Sequence, residues 1–303
     1  MVSSGSLSES PELPVWQPLT FGGVASFARA RWGRLLLLQT IVAAFVVAAG
    51  VVFLSRCWFP VMTQATQDLT AYGAVRGGQL AWPKTEAVVL AENRFLSLVV
   101  DLADSGATGQ VADLQVEFTR DRIKFASLLG YTELPYPVGW AIELNRQTLD
   151  PWWNAWRPAF LFGGIVATLV FLFVSWFVLA TLYALHVWVL AWIARRSASL
   201  AQCWRVAAAA LLPGAIWLGG AILLYVGEQL SLVGLGAAFG LHFVIAWVYL
   251  LGAPFHLPKK SRAISATEKN PFTPASPAPP GSAPAAARSE NPFHSPPPSA
   301  NNG

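Results

Sequence analysis

Residues 35–54 read LLLLQTIVAAFVVAAGVVFL, a run without a charged side chain. At about 1.5 Å of rise per residue, a helix of this length crosses a hydrocarbon core roughly 30 Å thick. A cleaved signal peptide is the alternative interpretation. The long segment before the run, residues 1–34, and the lack of a small-residue cleavage site after it favour a transmembrane helix.

Three further apolar regions follow at residues 160–193, 206–226 and 229–251. Basic residues flank these regions in three short clusters. The clusters are Arg29, Arg31 and Arg34; Arg195, Arg196 and Arg205; and Lys259, Lys260 and Arg262. Because lysine and arginine concentrate in cytoplasmic segments, the pattern predicts four spans with every cluster in the cytoplasm. Both termini are then expected in the cytoplasm.

The second apolar region is longer than one span requires. As a single helix, its 34 residues extend roughly 50 Å. Splitting it into two spans would move the later basic clusters to the outside, and no Gly, Pro or Asn turn lies near its middle. We therefore expect one long helix whose end, near His186, runs at the cytoplasmic interface.

The composition excludes an ordinary soluble domain, with 54% hydrophobic and 12% charged residues. We predict an α-helical integral membrane protein of about four transmembrane helices, with a small α+β extracytoplasmic domain between spans 1 and 2. The predicted divisions are a cytoplasmic segment at 1–34, spans at 35–55, 158–194, 206–226 and 229–252, the external domain at 56–157, a cytoplasmic loop at 195–205, and a tail at 258–303.

Local patterns within the external domain predict its elements. Residues 63–71 continue the first helix outward, and Gly77-Gly78 is typical of a tight hairpin turn. Residues 95–102 and 114–118 have the apolar patterns of strands. Residues 119–129 resemble a helix with Thr119 as its N-cap. Breaks are expected at Pro135, Pro137 and Pro151.

Three tryptophans, Trp152, Trp153 and Trp156, precede the second span. Tryptophan favours the headgroup layer of a membrane, where the ring is buried and its N–H stays hydrated. The sequence therefore predicts a membrane-interface belt at this position. A platform for stacking against sugar rings is the alternative.

Polar groups inside a span suggest function, and His242 and Ser175 are the candidates. A neutral imidazole bonded to a neighbouring helix is the simpler interpretation of His242, and a proton relay or transport path is the alternative. The small residues Gly236 and Gly240 are four apart, a spacing that lets helices approach closely. They indicate packing within this chain or self-association.

The tail is rich in Pro, Ala and Ser, a composition typical of disorder. It contains two similar tripeptides, Asn270-Pro271-Phe272 and Asn291-Pro292-Phe293. Such tripeptides could be docking ligands or part of a weak proline-rich interaction segment. A simple spacer is the third interpretation.

No pattern predicts catalysis, a metal site or a cofactor. The carboxylates of Asp101, Asp104 and Asp113 do not match a calcium loop, so they are interpreted as solvated surface. Neither HExxH nor GxSxG nor a phosphate-binding glycine loop occurs. The two cysteines, Cys57 and Cys203, are expected on opposite sides of the membrane and cannot pair.

The order of one span, an external domain and a C-terminal group of spans resembles a bacterial inner-membrane family of unknown function. Its members are sometimes labelled maltodextrin-utilisation proteins. The motifs that carry the resemblance are GGQL at 77–80, SLVVD at 97–101, TRDRI at 119–123 and SLAQCWRV at 199–206 followed by Pro213. The last motif is also similar to Yip-like membrane proteins. The resemblance implies a topology and brings no catalytic residues.

The sequence favours a non-enzymatic protein whose external domain binds a small ligand or an envelope protein, for sensing or scaffolding. A transporter or accessory subunit with a path near His242 is the alternative. The expected partners include the lipid bilayer and, through the small residues, a second copy of the chain. Nucleic acid is not expected, because the basic residues lie beside apolar runs.

Overall fold

The computed structural model describes residues 17–69, 72–128 and 130–259. Four continuous helical segments in this part of the chain are long and apolar enough to cross a membrane. They are Trp32–Gln67, Arg146–Ile193, Leu200–Val226 and Leu232–His256. The chain is therefore mostly helical with a small β region, as predicted. The tail from residue 260 onward, with both Asn-Pro-Phe tripeptides, lies outside the described residues.

The first segment follows a short helix α1, Phe21–Ser26, and a 3-10 turn, Phe27–Arg29. Helix α2 (Trp32–Phe53) continues through one π-helical turn, Leu54–Trp58, into helix α3 (Phe59–Gln67). The π turn lies just before Pro60, which has no N–H to donate. The predicted continuation of the first helix beyond its apolar run is thus confirmed as far as Gln67.

The β-rich domain holds the end of the first segment through Asn93. The side-chain nitrogen of Asn93 donates to the carbonyl of Cys57 in the π turn, at 2.6 Å. Its side-chain oxygen accepts the N–H groups of Phe95 and Leu96, both at 2.9 Å. One amide side chain therefore joins the π turn to the start of a strand.

Helix α4 spans Arg146–Ile193 as a single helix of 48 residues. It starts well before residue 158, because the Asn145 side chain caps it by accepting the N–H of Thr148 at 2.9 Å. The expected break at Pro151 is wrong, since Pro151 and Pro158 both lie inside this helix. Each proline removes one backbone hydrogen bond from the helix. Trp153, between the two prolines, joins this part of the helix to α3 through its hydrogen bond to Thr63.

The third segment consists of α5 (Leu200–Ala210) and α6 (Leu212–Val226), which meet at Leu211 just before Pro213. Helix α7 (Leu232–Gly252) follows, with a 3-10 turn at Ala253–His256. Each segment has one most apolar stretch. In the third segment 67% of that stretch is buried inside the protein, compared with 11% in the second segment and 11% in the fourth. Helix α5, with four fully buried alanines at 207–210, is therefore the centre of the bundle.

The β region contains two sheets. In the first, β1 (Gly73–Arg76) lies between β2 (Gln79–Ala81) and β8 (Ala141–Leu144). The second has the order β3 (Val88–Glu92), β4 (Leu96–Val100), β5 (Leu114–Phe118), β6 (Arg122–Ser127) and β7 (Gly130–Pro135). Strands β4 and β5 are parallel, and the other pairs are antiparallel. The predicted hairpin is confirmed, with φ of +59° and +78° at Gly77 and Gly78.

The helix predicted for residues 119–129 is wrong, because Arg122–Ser127 form strand β6. The Thr119 hydroxyl donates to the Arg122 carbonyl at 3.0 Å and so belongs to the turn before that strand. Ile123 and Phe125, two residues apart, join the apolar core, as the alternation of a strand requires. Between Gly73 and Leu144 the described residues form strands, turns and loops only, and the C-terminal end of α3 and the N-terminal end of α4 supply the helical part of the domain.

Candidate functional site

An apolar cavity of about 200 Å³ lies where the C-terminal end of α3 and the N-terminal end of α4 meet the five-stranded sheet. Its surface is apolar throughout. The lining side chains are Met62, Ala65, Thr66, Leu69, Trp82, Leu90, Leu98, Val100, Phe118, Leu144, Leu149, Trp152 and Trp153. Segments that are far apart in the sequence therefore converge on one cavity.

The sheet contributes one face of two neighbouring strands. Successive side chains of a strand point to opposite faces, so Leu98 and Val100 share a face of β4. In the parallel register, Val100 lies opposite Phe118 of β5. The same face packs on Val61 and Ala65 of α3. Strand alternation thus directs an apolar surface toward the helices.

Trp153 fixes the wall that α4 contributes. Its indole N–H donates to the Thr63 hydroxyl at 2.9 Å, and its ring lies edge-on to Phe59 at 5.4 Å. Only 3% of Trp153 is exposed, compared with 47% of Trp152 and 51% of Trp156. Trp152 lines the cavity as well, whereas Trp156 does not. The three predicted belt residues therefore occupy three different environments.

Trp82 lines the cavity and was not identified from the sequence. It follows strand β2, and its indole packs so closely on Gly73 that any side chain at position 73 would collide with the ring. The buried indole nitrogen of Trp82 has no hydrogen-bond partner in the described part of the chain. The sequence feature that could have identified Trp82 is a large apolar residue beside Pro83, where a turn is expected.

The opposite face of the same sheet is polar. Ser97, Gln115 and Glu117 are all buried there. The Gln115 amide donates to Glu117 at 2.6 Å, and the Lys124 ammonium lies 3.6 Å from the same carboxylate. Hydrogen bonding to Asp104 raises the pKa of Lys124. The sheet thus separates a charged face from the apolar cavity.

The three external aspartates have separate structural roles. The interpretation of Asp101 as solvated surface is wrong, because its side chain is 0% exposed. Its carboxylate accepts the N–H groups of Ala103, Ser105 and Gly106, and the Ser105 hydroxyl, at 2.8–3.2 Å. It therefore organises the start of the loop at 101–113, which connects β4 to β5.

The other two aspartates make one contact each with a distant segment. Asp104 is partly exposed and lies 3.0 Å from the Lys124 ammonium. Asp113 accepts a hydrogen bond from the Tyr225 hydroxyl at 2.7 Å, which joins the loop to the C-terminal end of α6. Within the described ranges, no three His, Cys, Asp or Glu side chains are grouped closely enough to hold a metal ion.

The polar candidates inside the helices have partners in their own helices. Ser175 donates to the Leu172 carbonyl at 2.9 Å, and the His242 ring nitrogen Nδ1 contacts the Phe239 carbonyl. The His242 ring also lies 3.8 Å from the ring centre of Phe243. These contacts differ from the predicted bond between His242 and a neighbouring helix.

The small-residue pair in α7 does not mediate packing within the chain. A Cβ atom at Gly236 or Gly240 would have nothing within 4 Å. Helices approach each other closely at two glycines of α6 instead. An added Cβ at Gly214 would collide with the backbone carbonyl of His242 in α7, and one at Gly219 would collide with the Phe45 ring of α2. Self-association through Gly236 and Gly240 stays a prediction.

Comparison with known proteins gives no match: no family model matches the chain, and the searches of curated proteins and solved structures find nothing similar. The geometry of the candidate site is therefore the basis for its function. Its two main properties are an entirely apolar surface and a position at the ends of two long apolar helices.

Proposed function

We propose that this chain is an integral membrane protein that binds the alkyl chain of an amphiphilic ligand in the apolar cavity. The observation that carries the proposal is the cavity's entirely apolar surface of helix and sheet side chains. Apolar cavities of roughly 150 Å³ exclude water and take up small apolar molecules. The proposed role is binding, for sensing or scaffolding, rather than catalysis.

The lengths of the first two segments support a position just outside the bilayer. The first segment has 36 residues and the second has 48, which correspond to about 54 Å and 72 Å of helix. A hydrocarbon core is roughly 30 Å thick. Both helices therefore project well beyond it, and the cavity lies on the projecting ends, at Met62–Leu69 and Leu149–Trp153. An alkyl chain would reach it from the outer leaflet.

The distribution of charge supports the proposed orientation. Every Asp and Glu in the described part of the chain lies between residues 68 and 150 or at Glu228. The opposite ends of the helices carry arginines and Lys259 instead. Because positive residues concentrate on the cytoplasmic side, this distribution supports a β-rich domain outside the membrane. The proposed location is the inner membrane of a bacterium, which agrees with the resemblance noted in the sequence.

This orientation predicts the pattern of labelling by an impermeant maleimide. The native thiols are poor probes, since Cys57 and Cys203 are both buried. We expect a Val138→Cys variant to react in intact spheroplasts, because Val138 is 78% exposed in the β-rich domain. A Ser197→Cys variant, at the opposite end, should react only after permeabilisation. The reverse pattern would exclude the proposed orientation.

A Leu149→Trp variant is expected to weaken alkyl-chain binding. Leu149 lines the cavity, and a larger side chain there occupies space that the ligand needs. To bind, the alkyl chain must displace the added indole or crowd against it. Such overpacking costs about 1–3 kcal/mol, so the affinity for the ligand should fall roughly tenfold. The measurement is photocrosslinking with a diazirine-bearing phospholipid. Crosslinked peptides of the native chain should contain residues 62–69 or 149–153.

The matched control is Leu134→Trp, the same substitution at an exposed position of β7 that does not line the cavity. We expect this control to crosslink as strongly as the native chain at both peptides. The proposal fails if the label is found only on the lipid-facing parts of the spans. It also fails if Leu149→Trp and its control crosslink equally.

A further inference from the structure

The surface of the apolar cavity offers no polar atom to a ligand. The Thr66 hydroxyl in the lining donates to the Thr63 carbonyl at 2.9 Å, and the Trp153 indole N–H donates to the Thr63 hydroxyl. The indole nitrogen of Trp82 is itself covered by neighbouring atoms. A polar group inside the cavity would lose its hydrogen bonds to water and gain none, which is unfavourable. An amphiphile therefore enters with the methyl end of its alkyl chain first.

The volume of the cavity fits part of one alkyl chain. It is about 200 Å³. An apolar cavity of roughly 150 Å³ takes up benzene, which corresponds to about 25 Å³ for each carbon atom. On this scale, about eight carbons of a single chain fill the cavity. Two chains side by side, or the fused rings of a sterol, exceed the available volume.

The exposure of the lining side chains distinguishes an opening from a floor. Trp152 is 47% exposed, whereas Leu98 and Val100 are 5% and 2% exposed. Trp152 belongs to the first turns of α4, and the two buried residues belong to β4. The opening therefore lies beside Trp152, and strand β4 forms the floor.

The floor is closed, because β4 is an inner strand of its sheet. It lies between β3 and β5, and its parallel register places Leu98 opposite Val116. Neighbouring strands are only about 4.8 Å apart, so no chain passes between them. The other face of the sheet carries Ser97 and Gln115, which are buried. An alkyl chain that reaches Leu98 has no passage beyond it.

Helix α3 contributes a wall with one small residue. Met62, Ala65 and Leu69 all line the cavity, and their spacing of three and four places them on one face of the helix. Ala65 is 7% exposed and packs in the same apolar core as Leu98. A larger side chain at Ala65 would take space from the cavity, and a smaller one at Leu98 would add space. These two residues therefore determine how much of a chain fits.

We propose that the cavity accepts one unbranched alkyl chain to a depth of about eight carbons, with Leu98 and Ala65 as the residues that set this length limit. The inference rests on the alkyl-chain binding proposed above and specifies its ligand class. The ligand is a single-chain amphiphile, or one chain of a lipid, whose polar end stays outside near Trp152. Carbons beyond the limit lie outside the cavity and add little affinity.

The test uses saturated monoacylglycerols, from butanoyl to tetradecanoyl, as competitors of the diazirine-bearing phospholipid on the full chain in amphipol. The measured quantity is the free aqueous concentration that halves the labelling of residues 62–69 and 149–153. It should fall about fourfold for each added carbon, up to a length of about eight carbons. For each further carbon it should fall less than about twofold, because that carbon is not buried in the cavity.

Two variants should move the length limit in opposite directions. Leu98→Ala removes an isopropyl group from the floor, so the limit should rise to about ten carbons. Ala65→Val adds methyl groups to the wall, so the limit should fall to about six carbons. The matched control is Leu134→Ala, which makes the same substitution as the first variant at an exposed residue outside the cavity. Its limit should stay at about eight carbons.

Competition that strengthens evenly along the whole series would contradict the length limit. The same holds for an equal limit in Leu98→Ala and Ala65→Val, or for a shifted limit in the control. If Leu98→Ala does not fold, the shift of Ala65→Val toward shorter chains decides the proposal, because general damage to the fold weakens every competitor alike. Failure of all competitors would contradict the alkyl-chain site itself, whereas competition without a limit contradicts only this inference.

Discussion

Replacement of Asp101 by alanine is expected to lower the free energy of unfolding of the β-rich domain by roughly 3–5 kcal/mol. The buried carboxylate accepts three backbone N–H groups and the Ser105 hydroxyl. Hydrogen bonds to a charged group contribute about 1.5–3 kcal/mol each, and water entering the vacated space recovers part of the loss. Hydrogen exchange of the backbone at residues 101–113 measures the effect directly. Protection there should fall by at least about a hundredfold.

Asp104→Asn is the matched control, since it removes a carboxylate from the same loop and keeps a residue type that tolerates the φ of +50° at this position. Asp104 is partly exposed and forms an ion pair with Lys124, a type of contact that contributes about 0–1 kcal/mol. Exchange at residues 101–113 should therefore change little. Equal deprotection in the two variants would show that Asp101 does not organise the loop.

Gly214→Val is expected to lower the melting temperature of the helical bundle by about 5–10 °C. Helix α6 approaches α7 so closely at Gly214 that an added Cβ would collide with the His242 carbonyl. The helices must then separate, which opens the packing around them. The measurement is the temperature at which the detergent-purified protein loses its monodisperse peak in size-exclusion chromatography.

Gly236→Val provides the comparison for this prediction, because it places the same side chain on an apolar helix where nothing lies within 4 Å. Its melting temperature should stay within about 2 °C of the native value. If the protein self-associates through this face, Gly236→Val would shift the elution volume toward the monomer instead. A fall as large as that of Gly214→Val would contradict the proposed role of close packing at Gly214.

The four apolar helices could be predicted from the sequence. Each is a long apolar run beside a basic cluster, and recognising such a run requires no knowledge of distant contacts. The Gly77-Gly78 turn was equally clear, since both positions need a positive φ. The helix prediction for residues 119–129 was wrong because Thr119 and Gly130 resemble the residues that begin and end helices. Pairing with β5 and β7 decides that segment, and such pairing is not visible in local propensity.

The candidate site depends on contacts that no local pattern encodes. Trp153 and Thr63 are 90 residues apart, and their hydrogen bond fixes the helix ends that form the cavity. The burial of Asp101 likewise depends on the loop folding back over its carboxylate. The tryptophan cluster was recognised at residues 152–156, but its division into buried, lining and outward-facing members required the packed structure. The family resemblance remains a prediction from sequence motifs.

The π turn at Leu54–Trp58 sets the direction in which the buried face of α3 points relative to that of α2. Each residue of an α-helix advances the chain by about 100° around its axis, and a π turn inserts one residue into that count. The buried stripe of α2, at Val42 and Val46, is thereby brought into phase with the stripe of α3, at Val61 and Ala65. The rotational position of the β-rich domain about the axis of the first segment therefore depends on one inserted residue, at the turn where the Asn93 amide contacts the Cys57 carbonyl.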